Sequence, residues 1–559
     1  MTAAFTAPPI PVDRATHVFP VLTPAQVERV RAHGRLRAVA RGEVLHEAGA
    51  QNDRFFVVTA GTLDVVRQAP DGNGETLVAV HGPGQFTGEV NMLSGRRGFV
   101  QTRAGEDGEV IEVDREELLA LVQTDSELSE ILMRAFILRR VELIAHGVGD
   151  VVVVGSQYCP GTLRVREFLT RNGHPYAFID LERDEGVQAL LDRFRVGEGD
   201  VPVVIWRGDV VLRNPGNAQI ADWLGFNDAI DGTQLRDLVV VGAGPAGLAA
   251  AVYGASEGLA VMVLESVAPG GQAGASSKIE NYLGFPTGIS GQELAARAYT
   301  QAEKFGTQVM VAKQASRLAC DRRPYSLEID DGQRIPARAI VIATGARYRS
   351  LAVPDIARFE GAGVYYGATF MEAQLCAGDE VIVVGGGNSA GQAAVFLAQT
   401  ARRVHLLVRA DGLAATMSRY LVRRVEDNPA IELRTRTEIT GLHGEHHLER
   451  VDWWHREGDA ESRPIRHVFV MIGADPCTAW LEGCVALDAK GFIKTGPDLS
   501  EEDLAERAWP LARAPHLLET SLPGIFAVGD VRAGNVKRVA SAVGEGSIAV
   551  SFVHRVLAE

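Results

Sequence analysis

The run Leu238-Val239-Val240-Val241-Gly242-Ala243-Gly244-Pro245-Ala246-Gly247 constrains this chain more than any other feature. An apolar strand ends in G-x-G-x-x-G and enters an alanine-rich helix. Gly242 permits the tight turn, Gly244 lets backbone approach a pyrophosphate, and Gly247 lets helix and strand touch. The helix start at Pro245 turns the positive end of the dipole to an anion, and Ala246 offers it an unpaired N–H, which proline lacks. A second strand, Val261-Met262-Val263-Leu264, ends on Glu265, 23 residues after Gly242. That is the distance at which an acid accepts from a ribose hydroxyl. The unit predicts a dinucleotide site on a parallel sheet.

A second fingerprint follows. Val381-Ile382-Val383-Val384 leads into Gly385-Gly386-Gly387-Asn388-Ser389-Ala390 and another helix. Its second strand, Val404-His405-Leu406-Leu407, ends in Val408-Arg409 with no acid. An arginine there suits the 2′-phosphate of NADPH, whereas NADH would want a carboxylate. NADPH is favoured and NADH stays open.

A chain of 559 residues predicts three or four domains. The first dozen residues, with Pro8, Pro9 and Pro11, read as a loose leader. From Leu36 to Val113 short alternating strands are punctuated by Asp71-Gly72-Asn73-Gly74 and Gly82-Pro83-Gly84, the pattern of a small jelly roll or barrel. A helix over Ser126–His146 places Leu128, Ile131, Leu132 and Ala135 on one face. From Asp150 a strand, a loop with Cys159-Pro160, a helix and a strand Ala177–Leu181 follow. After another helix comes Asp200-Val201-Pro202-Val203-Val204-Ile205.

Residues 236–559, nearly 60% of the chain, resemble the low-molecular-weight thioredoxin reductase family. The matching blocks are the loop at 242–247, Gly270-Gly271-Gln272, Glu280-Asn281-Tyr282, Ala343-Thr344-Gly345, the loop at 385–390, Ile472-Gly473 and Gly529-Asp530-Val531. The resemblance implies FAD in the first fold and NADPH in the inserted second fold. Gly271, Gln272 and Asn281 then approach the flavin side of FAD, and Ala343 and Gly345 belong to the same site. Gly529 and Asp530 take the ribityl or pyrophosphate region, and Arg538, Val539 and Ala540 lie beside the isoalloxazine. Gly385, Gly387, Asn388, Ser389, Ala390, Arg409 and Ile472 take NADPH.

One departure changes the chemistry. The family keeps a redox Cys-x-x-Cys before the second loop, and here Gly367 and Phe370 hold those places. Neither can form a thiolate or a disulfide. Ala410 and Ala414 replace further arginines, which implies a moderate NADPH preference.

The segment Phe86–Arg97 resembles the phosphate cassette of cyclic nucleotide-binding domains, with Gly88, Glu89 and Arg97 in the ligand-binding places. Glu89 and Arg97 are one residue closer together than the usual pattern, so a packing role competes with ligand binding. Residues 150–225 resemble a glutaredoxin or thioredoxin-like domain, with Cys159-Pro160-Gly161-Thr162 at the redox loop and Val201-Pro202 facing it. Thr162 replaces the second cysteine. A structural or docking module is favoured over a one-thiol role for Cys159.

The five cysteines, Cys159, Cys320, Cys376, Cys477 and Cys484, include no Cys-x-x-Cys, and spacing assigns none a partner. A reducing cytoplasm is expected. Glu445-His446-His447 lacks metal-site spacing, so no metal is expected. Residues Asp498–Arg513 read as a solvated charged insertion. A net charge of −15 argues against nucleic acid or an anionic membrane as partner. No basic, apolar signal segment and no membrane span is read.

The expected fold is a multidomain α/β chain with two Rossmann-like FAD and NAD(P) domains. They follow a β jelly-roll cyclic nucleotide-binding-like domain and a thioredoxin-like α/β domain. The expected boundaries are 1–147, 148–232, 233–360 with 474–559 for FAD, and 361–473 for NAD(P)H. The expected function is FAD-dependent NAD(P)H oxidation toward an unidentified acceptor, in a homodimer, without an internal dithiol. A slow redox or cyclic-nucleotide sensor is the alternative.

Overall fold

The computed structural model describes residues 16–51, 53–68, 75–89, 91–145, 151–157, 159–182, 197–206, 210–276, 278–445, 447–458 and 460–559. The leader, the turn 71–74, His146, Asp150, the helix expected within 183–196 and His446 lie outside them.

The amino-terminal unit is a sandwich of two antiparallel sheets. Strands Arg35–Val39, Gly108–Asp114 and Arg54–Ala60 form one, in that order. Val44–His46, Gln101–Ala104, Leu63–Gln68 and Glu75–His81 form the other. Alternation along Arg54–Ala60 buries Phe55 and Val57 against the helices and Phe56 and Val58 between the sheets. Helix Ser126–Ala145 seats Leu128, Leu132 and Ala135 in the first of these cores, as its periodicity predicts.

The second unit has a four-stranded sheet in the order Val210–Arg213, Val203–Trp206, Val151–Gly155, Tyr176–Asp180. The last two strands are parallel and the other pairs antiparallel. The peptide Val201–Pro202 is cis. Helix Pro160–Arg171 crosses one face.

The third unit carries the first fingerprint. Its sheet runs Gln308–Val311, Val261–Glu265, Arg236–Val241, Arg334–Ile342, Tyr325–Ile329, Ala315–Ala319, with Ile525–Ala527 also pairing Arg334–Ile342. The strands around the fingerprint are parallel and buried on both faces, so they read as unbroken Val/Ile/Leu runs. The inserted unit has a parallel sheet in the order Val364–Tyr365, His467–Val470, Glu380–Val384, Arg403–Val408, Ile431–Thr435. The chain crosses between these units at Ala346–Tyr348 and Ala474–Pro476, which pair antiparallel.

One expectation is corrected. Spacing assigns no cysteine a partner, but the structure joins Cys320 to Cys484 across 164 residues. Sequence cannot show this pairing, because the whole inserted unit lies between the two thiols and only the sheet brings them together. The charged insertion is a surface helix and loop, as expected, with none of residues 498–513 buried. Ser500 caps helix Glu501–Glu506, and Arg513 pairs with fully buried Glu519 at 2.7 Å and with Glu559 at 2.6 Å.

Candidate active site

Gly242 donates its N–H to Leu264 O at 2.7 Å with φ +105°, and a Cβ there would stand 2.3 Å from Ala343 O. Gly247 is tighter, since its Cβ would lie 1.8 Å from Gly242 O. Gly244 caps helix Pro245–Ser256 and faces Gly271, whose own Cβ would come within 3.0 Å of Gly244 Cα. Two side-chain-free backbones therefore meet at a helix N-terminus, which is what a pyrophosphate needs. Gly529 lies next to the same helix, its Cβ position 3.0 Å from Ala246 Cβ. Helix Val539–Ala558 packs on Pro245–Ser256 so closely that a Cβ at Gly546 would be 2.1 Å from Ala246 O. These residues fit a bound FAD.

Glu265 is buried and accepts from Ala243 N at 2.8 Å, Val267 N at 2.9 Å and Ala268 N at 3.2 Å. A carboxylate has about four acceptor sites, so roughly one remains for a ribose hydroxyl. Burial raises its pKa, and the backbone donors and Arg171 oppose that. Asp530 is half-buried, with its pKa raised by burial and lowered by Lys537. Gln272 donates its Nε2 to Ala346 O at the domain crossing. Gly345 has φ +66° and open space on its Cβ side. Asn281 is exposed, beside Glu280, which pairs with Arg424 of the inserted unit at 2.6 Å. Arg538 is the N-cap of Val539–Ala558, with Val539 half-buried and Ala540 exposed.

The second loop repeats the first. Gly385 donates to Leu407 O at 2.9 Å, and its Cβ would sit 2.3 Å from Met471 O. Gly387 caps helix Asn388–Leu397 and has nothing on its Cβ side. Asn388 Oδ1 accepts from Ser418 N at 2.7 Å, so this side chain holds the neighbouring loop. Ser389 is exposed and Ala390 buried. Ile472 packs in the core beyond the sheet. Arg409 ends Arg403–Val408 exposed, with no ion pair to a carboxylate among the described residues.

Gly367 lies in an open loop, and Phe370 begins helix Phe370–Leu375. Cys376 is fully buried and its thiol is pushed up to about 12, first by burial. Cys477 is half-buried, raised by burial and lowered by Arg347, and donates its N–H to Gly345 O at 3.1 Å. The Cys320–Cys484 bridge belongs to the apolar cluster of Val239, Val241, Leu264 and Ile342.

Cys159 is the N-cap of helix Pro160–Arg171. Gly161 leaves room for cis-Pro202, its Cβ position being 2.9 Å from Pro202 Cδ. Thr162, at the second cysteine's place, is completely buried with Oγ1 against Gly155. Pro160 rests on the inserted unit, where a Cβ at Gly361 would be 3.3 Å away.

Glu89 and Arg97 do not converge. Glu89 turns to Arg140 at 3.6 Å, whereas Arg97 lies over Trp206 at 5.7 Å. Gly88 has φ +98° with Met92 and Phe136 filling the space behind it. Among the described residues no group of three or more His, Cys, Asp or Glu could hold a metal, and no helix is long and apolar enough to cross a membrane.

Three residues escape motif reading. Glu545 accepts from Gly529 N at 2.7 Å, Arg532 Nη2 at 2.6 Å and Asn535 Nδ2 at 2.8 Å, fixing the Gly529–Asp530 turn. Arg171 reaches from the second unit to Gly271 O at 2.8 Å. Glu372, raised in pKa by burial and by Glu167 among other causes, holds Thr369 N at 2.9 Å. Only Glu545 had a sequence signal, an acid facing glycines on the last helix.

The geometry defines a two-nucleotide oxidoreductase. The model of the pyridine nucleotide-disulphide oxidoreductase family matches residues 236–546, more than half the chain, and the chain belongs to that family. It is a thioredoxin reductase-like NAD(P)H flavoprotein oxidoreductase, a group that uses FAD and NADPH. A cyclic nucleotide-binding domain matches 36–125 and a glutaredoxin domain 151–211. The thioredoxin reductase of Bacillus subtilis (strain 168) is 30% identical over 330 residues, covering 58% of this chain and 96% of that protein. The thioredoxin reductase of Escherichia coli O157:H7 is 32% identical over 331 residues, 58% of this chain and 97% of its own. The crystal structure of Lactococcus lactis thioredoxin reductase in the FR conformation aligns at TM-score 0.51 and 26% identity, over 58% of this chain and 99% of that one.

Proposed function

We propose that the chain oxidises NADPH through FAD and delivers the electrons to an acceptor without an internal dithiol. The observation that carries this is the pairing of two complete nucleotide loops with Gly367 and Phe370 where the reductase cysteines stand. FAD, when bound, supplies hydride acceptance and electron release. The protein's share is binding and orientation. Gly244, Gly271 and the start of Pro245–Ser256 hold the pyrophosphate, Glu265 the ribose, and the turn Gly529–Asp530, set by Glu545, the flavin side. Arg409 takes the 2′-phosphate.

The remaining thiols support the reading. Cys376 is buried with a raised pKa, and a thiol is nucleophilic only as thiolate. The Cys320–Cys484 bridge is packed among aliphatic side chains. The exposed apolar side chains Ile137 and Val141 on helix Ser126–Ala145 support a homodimer. Sedimentation at micromolar concentration tests that.

Anaerobic titration with NADPH tests the electron route. Uptake of two electrons per subunit is expected, for the flavin alone, and Cys159→Ser, Cys376→Ser and Cys477→Ser leave it unchanged. Uptake of four electrons refutes the dithiol-free route.

A further inference from the structure

The cassette of the cyclic nucleotide-binding domain ends on another domain. Arg97 lies over the Trp206 ring of the glutaredoxin domain, 5.7 Å to the centroid. Gly225 backs this contact, since a Cβ there would stand 2.7 Å from Arg97 Nε. Arg96, 7% exposed, lies between Phe226 at 4.8 Å and Tyr299 of the flavin domain at 5.2 Å. The cavity left between Asn91, Arg96, Arg97, Arg140 and Phe226 is about 10 Å³. That is room for one water, against hundreds of Å³ for a nucleotide-sized ligand.

Glu89 is the second half of the clasp. Its ion pair with Arg140 positions a guanidinium that covers Phe99 at 4.7 Å and donates to Gly173 O at 2.5 Å. Gly173 closes the helix that begins at Cys159. Two residues earlier, Arg171 donates to Gly271 O in the flavin domain's pyrophosphate loop. A continuous set of polar contacts thus runs from Glu89 to that loop. The clasp is not saturated. Both oxygens of Glu89, Nε and Nη2 of Arg96 and Nη1 of Arg140 are buried without a hydrogen-bond partner. Buried groups of this kind call for a partner, be it an ordered water, an ion or a ligand.

We propose that the phosphate cassette is the docking surface for the glutaredoxin domain, and that a nucleotide in the cassette and the docked domain exclude one another. A nucleotide phosphate would draw Arg97 away from Trp206, and its ribose hydroxyl would take Glu89 from Arg140. Arg140 then loses the partner that holds it on Gly173, and the helix tail carrying Arg171 comes off Gly271. No bond forms or breaks; the ligand shifts a docking equilibrium by its preference for the undocked cassette. By linkage, docking must weaken nucleotide binding by the same factor. The proposal is independent of the electron acceptor.

Calorimetry of cyclic AMP and cyclic GMP with the full chain, against Trp206→Ala and Gly225→Val, tests it. Both substitutions disturb the seat and leave the cassette intact. At least one nucleotide is expected to bind the variants ten times more tightly than the parent, because undocking no longer opposes binding. Saturating nucleotide on the parent should speed amide hydrogen exchange in Pro160–Arg171 and leave Arg54–Ala60 unchanged. Equal affinity for parent and variants overturns the proposal, as does the absence of binding to all three. Should neither variant fold, the parent's exchange pattern decides, and unchanged exchange at Pro160–Arg171 under saturating nucleotide overturns it. NADPH reduction of the flavin, followed at the same time, reports separately on the redox reading.

Discussion

Gly247→Ala should abolish stable FAD binding while leaving the other domains folded. The added Cβ would sit 1.8 Å from Gly242 O. A comfortable separation is about 3.5 Å, so helix Pro245–Ser256 must retreat by ~1.7 Å. Gly242 O cannot move instead, because Gly242 is held by its bond to Leu264 O and by the close approach of Ala343. The retreat takes the first helical N–H groups out of hydrogen-bond range of a pyrophosphate. Bonds to a charged group contribute about 1.5–3 kcal/mol each, so losing two weakens FAD by roughly 3–6 kcal/mol, a factor of about 10² to 10⁴. Gly544→Ala is the matched control, since it lies inside Val539–Ala558 with nothing within 4 Å of its Cβ position. It should keep full flavin and gain up to about 1 kcal/mol of helix stability. The assay is flavin absorbance per subunit after gel filtration, with circular dichroism to confirm folding. A Gly247→Ala protein that retains stoichiometric FAD at parental affinity would refute the close-packing argument.

Arg409→Ala should weaken NADPH by about 1–3 kcal/mol and leave NADH unchanged, read from flavin reduction at varied coenzyme; equal losses for both coenzymes would place Arg409 outside the 2′-phosphate site. Joint replacement of Cys320 and Cys484 by serine should lower the melting temperature, with a ceiling of about 5 kcal/mol from closing a loop across 164 residues. Parental NADPH-to-flavin electron uptake should survive, and its loss would give the bridge a redox role. His81 is buried in the jelly roll with its pKa lowered to about 3, by burial first and then Arg139. It is neutral when folded and protonates near 6.5 when unfolded, so its contribution is present above 6.5 and lost as pH falls toward 3. Going from pH 7 to 5 should cost that domain about 2 kcal/mol, and His81→Gln should flatten the loss in denaturant titrations at the two pH values.

The nucleotide loops were legible because their chemistry is local. Gly242, Gly244 and Gly247 act within one turn, and the strands beside them are apolar on both faces, so composition and spacing carry the whole signal. The jelly roll and the helix Ser126–Ala145 were legible for the same reason, since alternation and a 3.6-residue period are properties of single segments. Arg409 at a strand end, and the absence of any Cys-x-x-Cys, are likewise facts of the sequence.

Tertiary structure decided everything that depends on two distant segments. The Cys320–Cys484 pair exists because sheet packing, and not spacing, brings its ends together. Glu89 and Arg97 share a motif in one dimension, yet they separate in space because the cassette is covered by Trp206, Phe226 and Tyr299 from two other domains. Arg171 looks like an ordinary charge ending a helix, and only the seating of that helix on Gly271 gives it a place beside the first glycine loop. The physical reason is common to all three. Backbone geometry is set by neighbours in sequence, whereas the partner of a long side chain is chosen by whichever surface the packed domains bring within reach.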